Sequence, residues 1–160
     1  MWLARHIKSN KLFALKSIES VSAPLRQSII NDTSLIKFLN VDELMKCVDL
    51  YEYERTIWVF LEHLEYGSLA QIVHAYYTKY SEDFCKYILF KVCTALDAMH
   101  QQNVLHRDIK IDHVFCGQSG DVKLADLGLQ VFFNQQTKYH KERQSQPHQM
   151  APEVIKGASH

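Results

Sequence analysis

Two short apolar runs, Trp2 to Ile7 and Leu12 to Ile18, flank the turn-like Lys8-Ser9-Asn10-Lys11 and predict a β-hairpin. After Pro24, the residues Leu25, Ile29, Ile30, Leu35, Ile36 and Leu39 recur at helical intervals, although Asn31-Asp32-Thr33-Ser34 weakens helix propensity midway. Leu44 to Tyr53 and Thr56 to Leu64 read as two further strands joined at Glu54-Arg55, so the first part is a small, mostly antiparallel sheet with one helix. From Gly67 the period changes. Ser68 is placed to cap a short helix reaching about Tyr76, and Ser81, followed by Glu82 and Asp83, to cap a long one ending near His100. Phe84, Ile88, Val92, Leu96 and Met99 form the apolar stripe of that long helix, with Cys85 and Cys93 expected to pack along it. Short runs follow at Val104-Leu105, His113 to Cys116 and Asp121 to Ala125, the last two joined by the turn Gly117-Gln118-Ser119-Gly120. Leu129 to Met150 is glutamine-rich, has little periodicity and reads as a long loop.

Composition narrows the classes. The 160 residues carry 18 Lys and Arg against 18 Asp and Glu, a net charge of zero, which gives no electrostatic reason for a nucleic-acid partner. No apolar run is long enough to span a membrane and Met1 to Lys8 lacks the pattern of a secretory signal, so a cytoplasmic protein with no membrane partner is expected. The four cysteines form no C-x-x-C pair and read as reduced thiols. The first 66 residues contain no glycine, so no glycine-rich phosphate loop lies within them.

The candidate chemistry follows the long helix. His106-Arg107-Asp108 is succeeded by Asp126-Leu127-Gly128 and then by Ala151-Pro152-Glu153. In this order and at these distances, the set resembles the catalytic loop, metal-binding loop and end of the activation segment of eukaryotic protein kinases. Phe13-Ala14-Leu15-Lys16 resembles the family's V-A-I-K strand, and Trp58 to Leu64 with Gly67-Ser68-Leu69 resembles its hinge region. Lys110 is the Ser/Thr-type residue, and Val122 to Asp126 with Met150 to Ile155 is similar to the Sterile-twenty-like branch and its p-twenty-one-activated kinases.

The resemblance implies an α+β, two-lobed fold: residues 1–62 as the N-lobe without its glycine-rich loop, and 63–160 as hinge, first C-lobe helices, catalytic loop and activation segment. It implies ATP and Mg²⁺ as cofactors and a protein substrate or regulatory protein as partner. Asp108 would receive the hydroxyl proton, Lys110 would neutralise charge on the transferred phosphoryl, and Asp126 would hold Mg²⁺. Lys16 would bind the α- and β-phosphates and pair with Asp32, which stands one methylene short of the usual glutamate. Ala14, Leu61 and Phe115 would border the adenine, with Glu62 to Leu64 supplying backbone hydrogen bonds. Arg107 would pair with a phosphate on Thr137, Tyr139 or Ser145.

Three departures temper this. His113 stands at the second metal position in place of asparagine; an imidazole is a poorer Mg²⁺ ligand than an amide oxygen, and it lacks the amide donor that braces the catalytic loop. Gln146 and Gln149 replace the residues expected before the Met-Ala-Pro-Glu run. The chain also starts at the family's second strand and ends seven residues after Glu153, which predicts a bare apolar surface below the long helix. Together these point to a kinase-like chain of weak or absent phosphotransfer. The alternatives are a pseudokinase acting as a binding module and an incomplete gene product.

Overall fold

The computed structural model describes residues 1–19, 23–76, 79–106, 108–125 and 152–156; within its helices the side chains of Leu25, Ser28, Asp32, Glu153 and Val154 lie outside that description. The first part is a four-stranded antiparallel sheet of β1 (Trp2–Arg5), β2 (Leu12–Ile18), β3 (Cys47–Tyr53) and β4 (Thr56–Glu62), in the order β1-β2-β4-β3. Helix α1 (Ala23–Leu39) packs on it. The predicted hairpins both form. The turn of the second places Glu54 and Arg55 at φ 46° and 62°, the paired left-handed backbone of a two-residue hairpin.

The low-propensity middle of α1 is held by packing of the helix on the sheet, while its hydroxyls are satisfied locally by bonds back along the helix. Thr33 Oγ1 donates to the Ile29 carbonyl at 2.7 Å and Ser34 Oγ to that of Ile30 at 2.8 Å. Asn40 ends the helix at φ 43°, a left-handed position that asparagine tolerates better than most residues. Ile29 faces the sheet and is buried with Cys47, Ile57 and Val59.

The second part carries α2 (Leu69–Ala75), α3 (Glu82–Gln101) and α4 (Pro152–Ile155), with a small sheet in the order β5 (Gly67–Ser68), β6 (Val114–Cys116), β7 (Val122–Leu124). Ser68 closes a capping box with Gln71, its hydroxyl accepting the Gln71 N–H while the Gln71 side chain accepts the Ser68 N–H. Ser81 caps α3 by accepting the Phe84 N–H at 3.1 Å. The apolar stripe of α3 is core: Ile88, Val92, Ala95 and Met99 are buried against Leu44, Leu69, Val104, Val114 and Leu124. Val104-Leu105 is not a strand; it is extended chain with Val104 buried.

The fold is thus the two-lobed α+β arrangement expected. The glutamine-rich segment 129–150 lies outside the described residues. Two cysteines depart from expectation, since Cys85 and Cys93 are exposed on α3 beside Leu89 and Phe90, which are 62% and 65% exposed. They fall on the face of α3 turned away from the core stripe, whereas Cys47 and Cys116 are buried and burial pushes both thiols up. A thiol reagent at pH 8 is therefore expected to modify Cys85 and Cys93 in the native protein and to reach Cys47 and Cys116 only on unfolding. Mass mapping checks this, and rapid modification of the buried pair would contradict it.

Candidate active site

The segment from His106 to His113 is set by hydrogen bonds before any side chain acts. His106 is only 2% exposed. Its Nδ1 accepts the Asp108 N–H at 3.3 Å, so in the neutral ring Nε2 carries the proton and donates to the Ala125 carbonyl at 3.0 Å. The Ala125 N–H in turn donates to the His113 carbonyl at 2.8 Å. Ala125 is thereby tied to both ends of the loop that presents Asp108.

Asp108 and Lys110 form an ion pair. Lys110 Nζ donates to Asp108 Oδ2 at 2.8 Å, with the Asp108 side chain 26% exposed. His113 joins them in a way that corrects one expectation. Its Nδ1 lies 2.8 Å from the Asp108 main-chain oxygen and 3.4 Å from Oδ2. A carbonyl oxygen can only accept, so Nδ1 is the donor, and the imidazole supplies the loop brace that an amide would otherwise give. A metal could meet this ring only at Nε2.

Two local arrangements involve the residues assigned to a base. Ala14 stands opposite Leu61 in the β2–β4 register, and Lys16 stands opposite Val59 on the same face, two residues or about 7 Å along the strand. Leu61, Leu64 and Phe115 pack with Met45 and Ala125 in one apolar cluster. The Glu62 side chain is engaged elsewhere. Its carboxylate turns to the Lys46 N–H at 2.6 Å and to Lys123 Nζ at 2.9 and 3.0 Å.

Other expected residues are not settled by position. Asp32 lies on α1, but its side chain is outside the described set, so its pairing with Lys16 is too. Asp126, Arg107, Thr137, Tyr139, Ser145, Gln146 and Gln149 also fall outside the described residues. Among the described residues no cluster of three or more His, Cys, Asp or Glu could hold a metal ion, and no helix is long and apolar enough to cross a membrane. The structural parts of His106 and Lys123 were missed by sequence reasoning. His106 was visible as part of a motif but not as a buried tie, and Lys123, between Val122 and Leu124, has the alternation of a solvent-facing residue.

Comparison with known proteins agrees with this geometry. The family model described as "Protein kinase domain" matches residues 1–160. The chain is 30% identical over 158 residues to the serine/threonine-protein kinase CLA4 of Candida albicans, covering 98% of this chain and 16% of that protein. It is 30% identical over 156 residues to STE20 of Saccharomyces cerevisiae, covering 97% and 16%, and 30% identical over 154 residues to pakA of Dictyostelium discoideum, covering 94% and 12%. The chain therefore spans less than a fifth of the length of each of these three relatives.

The brace predicts a graded mutant series. His113→Asn, which keeps a donor of similar reach, is expected to leave stability within about 0.5 kcal/mol of wild type, whereas His113→Leu leaves the Asp108 carbonyl without this donor and costs about 1–3 kcal/mol. Urea denaturation reads both; equal stability of the two variants would remove the brace.

Proposed function

The chain belongs to the protein kinase domain family as a Ser/Thr-type domain related to STE20- and PAK-like kinases, and from that membership we propose that it binds ATP with Mg²⁺ and transfers phosphate weakly to protein serine or threonine. ATP bound with Mg²⁺ supplies the transferable γ-phosphoryl group. The observation that carries the reading is the Asp108 carboxylate, partly exposed yet fixed by Lys110 at 2.8 Å and by its loop. Phosphoryl transfer needs positioning and charge neutralisation more than covalent help, so a held carboxylate is the required element.

In this reading Asp108 orients the acceptor hydroxyl and takes its proton. Lys110 spans from Asp108 toward charge that develops beside it. Ala14, Leu61, Leu64 and Phe115 enclose the base, the backbone of Glu62 to Leu64 meets its polar edge, and Lys16 holds phosphates along the same sheet face. Asp126, which follows Ala125 directly, would hold Mg²⁺ through carboxylate oxygen, the ligand type that ion prefers. The partners are then ATP and a protein substrate or regulatory protein.

A second reading, a pseudokinase that works by binding a partner protein, is favoured by His113. Its Nδ1 braces the loop, which leaves only the ring's other nitrogen where the family offers an amide oxygen to metal.

Thermal unfolding with millimolar ATP and Mg²⁺ separates the two, since a ligand of the folded state raises its stability. At about ten times Kd the melting temperature is expected to rise by roughly 3–5 °C. Lys16→Ala and Asp126→Ala are expected to abolish the rise, and Asp108→Asn to keep it while lowering phosphotransfer at least about a hundredfold. A wild-type transition indifferent to ATP and Mg²⁺ would leave the binding-module reading.

A further inference from the structure

Lys123 is the only lysine or arginine among the described residues that is buried, at 7% exposure. Its ammonium meets both oxygens of Glu62, at 2.9 and 3.0 Å. Glu62 is held from a second side as well, because its Oε1 accepts the Lys46 N–H at 2.6 Å while its own N–H donates to the Lys46 carbonyl at 3.0 Å. The two ends of the ion pair belong to different parts of the fold: Glu62 closes β4, and Lys123 lies on β7 opposite Phe115 of the base cluster.

Burying such a pair is a poor way to gain stability, since two charges must be stripped of water and apolar residues of similar volume often serve as well or better. A two-oxygen contact backed by a main-chain donor does fix orientation. The peptide groups it fixes begin at Glu62, where the chain leaves the sheet for the stretch assigned to the base. We propose that Lys123 is a positioning residue for nucleotide: through the Glu62 carboxylate it sets the backbone of residues 62 to 64 against Phe115 and Ala125. This rests on the nucleotide-binding reading above, and it adds a residue that touches neither base nor phosphate.

The test compares wild type with Lys123→Met, Lys123→Arg and, as a control, Lys91→Met. Lys91 pairs with Glu43 at 2.9 Å at the same junction without touching Glu62. Amide hydrogen exchange reads the backbone and calorimetric titration with adenosine, which has no phosphates, reads the base end. In Lys123→Met the amides of Lys46 and Glu62 are expected to exchange about tenfold faster while those of Val92 and Ala95 in α3 keep their protection, and adenosine is expected to bind about tenfold more weakly. Lys123→Arg should restore both within about twofold, as it keeps the charge and the paired donors. Lys91→Met should change neither. Wild-type exchange at Lys46 and Glu62 in Lys123→Met, or wild-type adenosine affinity there, overturns the proposal. Failure of the wild-type protein itself to bind adenosine overturns the nucleotide reading instead, and the base-positioning role with it.

Discussion

The two parts of the molecule are joined by a main-chain bridge on which the site depends. The Leu124 N–H donates to the Glu43 carbonyl at 2.8 Å, and the Met45 N–H donates to the Leu124 carbonyl at 2.9 Å. Leu44, between them, is 2% exposed and sits in the core under α3. Backbone polar groups withdrawn from water must find partners, and here the partners lie in the segment between α1 and β3 on one side and in β7 on the other. The half-buried Lys91–Glu43 pair adds a side-chain tie from α3 to the same segment.

From this bridge the consecutive residues Lys123, Leu124 and Ala125 each reach a different element. Lys123 goes to Glu62 at the end of β4, Leu124 to the bridge and the α3 core, and Ala125 to both His106 and His113. The sheet that carries Ala14, Lys16 and Leu61 and the loop that carries Asp108 are therefore referred to one short segment, β7 and the residue after it. Asp126 is the next residue in sequence. This arrangement holds groups from separate elements in one frame, which is what the proposed phosphoryl transfer asks for.

His113 shows how a departure from a family pattern is absorbed. Read as chemistry alone, imidazole in place of an amide removes both a metal-binding oxygen and a donor. In the folded chain the donor is recovered, because Nδ1 lies within 2.8 Å of the Asp108 carbonyl. The loop keeps its shape, while the change in ligand type remains. Shape and metal chemistry at this position are thus separable.

Much of this was legible in the chain itself. The hairpins, the capped α2 and α3 and the stripe Ile88, Val92, Met99 follow from local periodicity and capping, which are properties of neighbouring residues. The motifs His106-Arg107-Asp108, Asp126-Leu127-Gly128 and Ala151-Pro152-Glu153 carried the family by order and spacing. Contacts between residues distant in sequence were not legible. Lys123 alternates like a surface residue yet is buried because Glu62, 61 positions away, meets it. Cys85 and Cys93, expected to pack, stand on the face of α3 that no described element covers. The sequence by itself determined which elements form and which chemistry they bear, since both depend on side-chain type and local spacing. Only the tertiary structure decided which charges are paired, which nitrogen of His113 is engaged and which strand unites the site, because each depends on distances that close only when the whole chain has folded.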